Sequence, residues 1–192
     1  MSTEPLTAEE RRTLLTIARR ALEHCARTGK TPGRDDLPCE SLTERLEEPS
    51  GAFVTLRHRK NLRGCIGQVH PHLPLWEAVA QNAVNAGWHD PRFSPVRERE
   101  LPGLTIEVTV LHAMEPITEP EEITLGEHGI MMAEGSRRGV FLPQVATEQG
   151  WDAETFFENL CHKAGLPSGS HRREGVALWR FGAEHFEEEA GS

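Results

Sequence analysis

The order strand, strand, helix, strand occurs twice in this chain, and that repetition limits the folds open to it. Gly51 and Gly129 stand 78 positions apart, and so do Gly87 and Gly165, each of which closes a helix. In the first copy Ala52, Val54 and Leu56 alternate with Phe53, Thr55 and Arg57. A polar turn at His58–Asn61 leads into a second strand over 62–69, which predicts a β-hairpin. Pro74 suits the start of a helix running to Gly87, with Leu75, Val79, Ala83 and Ala86 on one face. Leu104, Ile106, Val108 and Val110 then alternate with Thr105, Glu107 and Thr109, the clearest half-buried strand in the chain. In the second copy Ile130–Ala133 and Val140–Leu142 flank the turn 136–139. Asp152 caps a helix that Gly165 ends, with Trp151 and Phe156 placed as a hydrophobic staple, and Val176–Phe181 is a last strand. One hairpin cannot bury its apolar face alone. The repeat therefore predicts an α+β domain over 8–186 with related halves at about 51–112 and 129–181. Their strands pool into one curved, barrel-like, mostly antiparallel sheet with helices outside.

Ahead of the first copy, Thr7-Ala8-Glu9-Glu10 reads as a capping box. Leu14, Ala18, Leu22 and Cys25 recur at helical spacing up to Gly29, so a helix is expected over 8–28. Pro32, Gly33, Pro38 and Pro49 mark 30–50 as a loop with a turn of helix near 41–47. Residues 1–7 and 187–192 read as loose termini, and the acidic tail from Glu184 onward as unanchored.

Charge narrows the function classes. Lys and Arg number 21 against 30 Asp and Glu, a net charge of −9, which argues against nucleic-acid binding. Arg57, Arg59, Lys60 and Arg63 nonetheless fall together with no acid between 51 and 70, a local patch suited to a small anionic ligand. No apolar run approaches the ~18 residues of a spanning helix, and no signal peptide is visible, so a cytoplasmic protein without a membrane role is expected. Cys25, Cys39, Cys65 and Cys161 lack metal-finger or thioredoxin spacing and read as free thiols. His70 and His72 lack a third ligand, so neither a metal nor another cofactor is expected.

The unusual stretch is Asn61-Leu62-Arg63-Gly64-Cys65-Ile66-Gly67. Two glycines within a strand imply a bulge or close approach by backbone or ligand. Period-two geometry puts Arg63, Cys65 and Gly67 on one face, a cation and a thiol beside a gap. Such a neighbourhood favours thiolate and suits a nucleophile, whereas a small buried cysteine in a tightly packed strand gives the same pattern. In Asp90-Pro91-Arg92-Phe93, Asp90 either makes a turn or orients Arg92 toward a carboxylate or phosphate. Glu107 is either a surface charge or a base in a cleft.

Leu62-Arg63-Gly64-Cys65-Ile66-Gly67 resembles the hallmark of the AMMECR domain family, whose prokaryotic branch is the AmmeMemoRadiSam system protein A group. Gly51–Leu56, Asp90–Phe93, Gly139–Val145, Gly150–Asp152 and Lys163–Leu166 match the family in order, so the resemblance spans roughly 10–186. It implies an α+β fold with two related halves around a barrel-like sheet, and no defined reaction. It also implies association with a Memo-like protein and a radical-SAM enzyme. This chain has no cysteine triad for an iron–sulfur cluster, so such chemistry would belong to the partner. Two functions follow. One is an enzyme or substrate-handling component whose cleft holds Cys65, Arg63 and Glu107 as catalytic groups and Gly64, Gly67, Asp90 and Arg92 as substrate contacts. The other is a non-catalytic module docking a partner protein.

Overall fold

The computed structural model describes residues 5–189. The chain divides into two compact units, one running to Leu111 and resuming at Glu184, the other His112–Ala183.

The first unit opens with α1 (Ala8–Thr28). Thr7 Oγ1 accepts the Glu10 N–H at 3.2 Å while the Glu10 carboxylate accepts the Thr7 N–H at 2.8 Å. This is the expected capping box. Thr7→Ala is expected to cost about 1 kcal/mol, read as a lowered denaturation midpoint in urea. The buried stripe Leu14, Ile17, Ala18, Ala21, Leu22 and Cys25 packs on α3 (Leu75–Trp88), with the short α2 (Glu44–Glu47) between them in sequence. Beneath lies a four-stranded antiparallel sheet in the order β2-β1-β3-β8, from β1 (Ala52–His58), β2 (Asn61–Gln68), β3 (Leu104–Leu111) and β8 (Ala183–Glu187). Ala52, Val54, Leu56, Ile106, Val108 and Val110 are sealed in the core. Alternation thus sends every second residue toward the helices and the intervening Phe53, Thr55, Arg57, Glu107 and Thr109 to the other face.

The second unit holds β4 (Glu115–Ile117), β5 (Gly129–Glu134), β6 (Arg137–Phe141) and β7 (Ala177–Phe181) in the order β4-β7-β5-β6. The helices α4 (Gln144–Gln149) and α5 (Ala153–Ala164) follow β6. Asp152 Oδ1 accepts the Thr155 N–H at 2.8 Å, and the rings of Trp151 and Phe156 both pack on Phe141.

The α+β class and the antiparallel pairing follow the sequence pattern. The strands form two four-stranded sheets rather than one, and neither closes into a barrel, because each half pairs its own strands. The tail also departs from expectation. Residues 184–187 belong to a strand, and the Glu188 N–H donates to the Ile106 carbonyl on β3 while its carboxylate accepts the Ile106 N–H and grips Arg19. Leu6 is buried, and its N–H donates to Glu184. The rest of the expected loose termini, 1–4 and 190–192, lies outside the described residues.

Candidate functional site

The hairpin of β1 and β2 brings Leu62–Gly67 to a sheet edge. Between Leu56 and Arg57 the register slips by one: Arg57 faces Leu62, whereas Leu56 faces Gly64. Arg63 is the extra residue of a β-bulge, and such residues are re-aimed out of the ladder. Its guanidinium turns to Glu100, with Nε donating at 3.0 Å and Nη2 at 3.4 Å, and lies 6.0 Å from the centre of the Phe93 ring. Burial works to raise the Glu100 carboxyl, and the bonds from Arg63 and the Arg97 N–H outweigh it and bring it below its ordinary value. Arg63 therefore spends its charge on Glu100.

Beyond the bulge Cys65 lies opposite Thr55, and Thr55 lies opposite Glu107 on β3. Thiol, hydroxyl and carboxylate form a row across three strands on the face turned away from the helices, with neighbouring Cβ atoms about 5 Å apart. The half-buried sulfur sits 3.2 Å from Thr55 Oγ1. Glu107 is buried and paired with Arg57, two residues along the same face of β1.

The outward backbone of Cys65 is held by the turn after α3. Asp90 Oδ2 accepts the Cys65 N–H at 2.9 Å, and Arg92 Nη2 donates to the Cys65 carbonyl at 3.3 Å. Both groups point away from β1, so Cys65 and Thr55 are a non-hydrogen-bonded pair, the type in which side chains approach more closely. Asp90 is 1% exposed in its side chain and also accepts from Arg92 Nε at 2.9 Å, Nη2 at 2.7 Å and the Arg92 backbone N–H at 3.1 Å. The Arg92 bond chiefly holds the Asp90 carboxyl far below the usual carboxylate range. Asp90 in turn raises Arg92. Arg92, not Arg63, is the cation beside Cys65.

The glycines serve packing. A Cβ at Gly64 would overlap the Ala86 carbonyl oxygen on α3, and one at Gly67 would enter the Phe53 ring. Cys65, Asp90 and Arg92 thus come together, Glu107 joins through Thr55, and Arg63 reaches them only through the Phe93 ring it shares with Arg92. Sequence reasoning passed over Thr55 and Glu100. Alternation puts Thr55 on the right face, but its pairing with Cys65 depends on the bulge.

Two cavities lie elsewhere. A groove of about 1570 Å³ runs along α1, residues 101–105 and 186–189, and a cavity of about 560 Å³ lies in the second unit; neither is lined by Cys65. Among the described residues no three His, Cys, Asp or Glu are grouped to hold a metal ion, and the rings of His70 and His72 stand 6.0 Å apart. No helix among them is long and apolar enough to cross a membrane.

The site is a bulged, glycine-bearing edge strand clamped by an Asp–Arg fork, within an α+β chain of two four-stranded sheets. The chain matches the AMMECR1 family over residues 15–186 and belongs to it. A Methanothermobacter thermautotrophicus protein is 42% identical, with 98% of this chain and 100% of that protein covered. Protein PF1979 of Pyrococcus furiosus is 41% identical over 92% of this chain and 87% of its own length. The crystal structure of the uncharacterized protein PH0010 from Pyrococcus horikoshii superposes with a TM-score of 0.88 at 38% identity, covering 96% of this chain and 94% of that one.

Proposed function

We propose that this protein is a non-catalytic recognition component that acts by docking a partner protein, with a Memo-like protein and a radical-SAM enzyme as the partners to try first. The observation that carries this reading is the use already made of the hallmark's polar groups. Arg63 pairs with Glu100, Glu107 with Arg57, and Asp90 takes four donors from Arg92 and Cys65. A substrate that took one of these partners would have to displace the other, and each pair keeps one side chain at or below 13% exposure. Gly64 and Gly67 serve helix and ring packing, as a rigid frame requires. On this reading Cys65→Ser leaves the affinity for the partner within about twofold, measured by titration calorimetry. Loss of a reaction in the assembled complex, with binding intact, would overturn it.

A second reading keeps Cys65 as a nucleophile in an enzyme or substrate-handling component. It is favoured by the sulfur's partial exposure beside Thr55 and Arg92, whereas Cys25, Cys39 and Cys161 are buried. Burial also pushes the Cys25 and Cys39 thiols up. Iodoacetamide on the native protein, followed by mass spectrometry, is expected to label Cys65 first. The rate separates the readings. A recognition module gives a rate no greater than that of free cysteine, and a nucleophile gives one about tenfold or more above it at pH 7.

A further inference from the structure

Positive charge gathers at one edge of the first unit. Residues 51–100 carry seven of the 21 Lys and Arg but four of the 30 Asp and Glu, in a chain of net charge −9. Four of these cations, Arg59, Lys60, Arg97 and Arg99, are exposed and form no salt bridge among the described residues. Arg59 and Lys60 are the turn residues of the β1–β2 hairpin, with left-handed φ of 50° and 68°. Asn and Gly suit those positions, so the turn carries its two charges at a cost in backbone strain.

The four are neighbours. The turn lies beside the 98–103 segment, since Arg59 and Lys60 line one groove with Glu98, Pro102 and Gly103, and a Cβ on Gly103 would lie 3.0 Å from His58 Nε2. The Arg97 N–H donates to the Glu100 carboxylate that holds Arg63, and Arg99 acts on the same carboxylate. The acids among them are already taken: Glu100 by Arg63, Glu98 by Arg27 at 3.3 Å and Asp90 by Arg92. Two donors still call for an acceptor. Arg92 meets Asp90 through Nε and Nη2 and is 54% exposed, and Arg63 Nη1 is buried with no hydrogen-bond partner among the described residues. Leu62, next to Arg63, is at 38% the exposed large hydrophobic side chain among the described residues.

We infer that this face docks an acidic segment of a partner protein, which rests on the docking reading above. Carboxylates of the segment meet Arg59, Lys60, Arg97 and Arg99, and an apolar side chain covers Leu62. One carboxylate reaches Arg92 and, with the side-chain adjustment common at interfaces, Arg63 Nη1. Arginine beside aromatic and exposed apolar side chains is the composition of an interface core. A nucleic acid fits less well, because its unbroken run of phosphates would also meet Glu98, Glu100 and the negative charge of the chain as a whole.

The test is a titration of the full chain at low ionic strength, followed by calorimetry and NMR, with a short acetylated and amidated peptide of glutamates around one central leucine, beside its glutamine counterpart. Saturable 1:1 binding of the glutamate peptide that moves the Leu62 and Phe93 amides and the Arg63 guanidinium signal, with no saturation by the glutamine peptide, is expected. Arg97→Gln and Arg99→Gln should each weaken it about threefold and together about tenfold, as loss of exposed charge pairs does. Arg137→Gln, at an exposed cation of β6, should leave it unchanged. Equal binding of the glutamine peptide, or an effect of Arg137→Gln as large as that of Arg97→Gln, overturns the proposal. So does tighter binding of an oligouridylate than of the peptide at the same salt, or self-association that the double variant abolishes, since these give the face to an RNA or to a second copy. A Memo-like or radical-SAM partner that binds the double variant as it binds the parent removes this surface and leaves the docking reading standing.

Discussion

Gly64→Ala is expected to lower the stability of the first unit by about 3 kcal/mol, a fall of roughly 6–12 °C in Tm for a chain of this length. The new methyl would overlap the carbonyl oxygen of Ala86. Both sides of that contact are backbone, so no rotamer relieves it. Either β2 lifts from α3 or the end of the helix shifts, and the packing of Val54, Leu56 and Ala83 between them goes with it. Gly67→Ala is the matched control. Its methyl would enter the Phe53 ring, a half-buried side chain, and come within 2.6 Å of the Ala52 carbonyl oxygen. A cost of about 1–2 kcal/mol is expected there. Thermal unfolding followed by circular dichroism on both variants checks the order. A Gly64→Ala transition within 1 °C of the parent would remove the claim that this glycine exists for helix approach.

Much of the first unit was legible because its signals are local. The Thr7–Glu10 box and the period-two run through Leu104–Val110 need no knowledge of neighbours. What was missed depends on partners distant in sequence. β8 reads as a loose acidic tail because Glu184, Glu187, Glu188 and Glu189 look solvated, yet Arg11 and Arg19 on α1 wait for Glu184 and Glu188. Three-residue β4 has too few positions to show a period. The single barrel-like sheet was an extrapolation from the repeat, and a repeat fixes what each copy contains without fixing how many sheets result.

At the site the decisive step was a one-residue slip. The turn pairs His58 with Asn61, and an unbroken ladder from there would set Thr55 against Gly64. The bulge at Arg63 moves Cys65 into that place and swings the arginine toward Glu100. Period-two reasoning put Arg63 and Cys65 on one face of β2, whereas the bulge sends the arginine to Glu100 and Arg92 bonds the Cys65 carbonyl. Nothing in a linear sequence announces that Asp90 and Arg92, 25 and 27 positions away, will hold the two backbone groups of Cys65.

That clamp makes Asp90→Asn the second substitution with a large expected effect, about 2–3 kcal/mol at pH 7. The figure sits below the usual range for breaking a buried ion pair because Arg92 is 54% exposed and partly solvated. The amide keeps the shape but brings N–H donors toward the donors of Cys65 and Arg92, so one of those bonds is replaced by an unsatisfied contact. The pH dependence has a definite sign. The folded-state carboxyl titrates below its unfolded value, chiefly through Arg92. Its contribution is therefore complete above the unfolded pKa of about 4 and is lost as pH falls below it toward the folded value. Urea unfolding of parent and variant between pH 8 and pH 3 should show a constant gap down to about pH 5 that narrows below pH 4, while the Cys65 amide exchanges faster in the variant at every pH. A gap that stays the same at pH 3 would mean that the charge of Asp90 contributes nothing. An unchanged Cys65 amide would mean that the edge of β2 is held by something other than this fork.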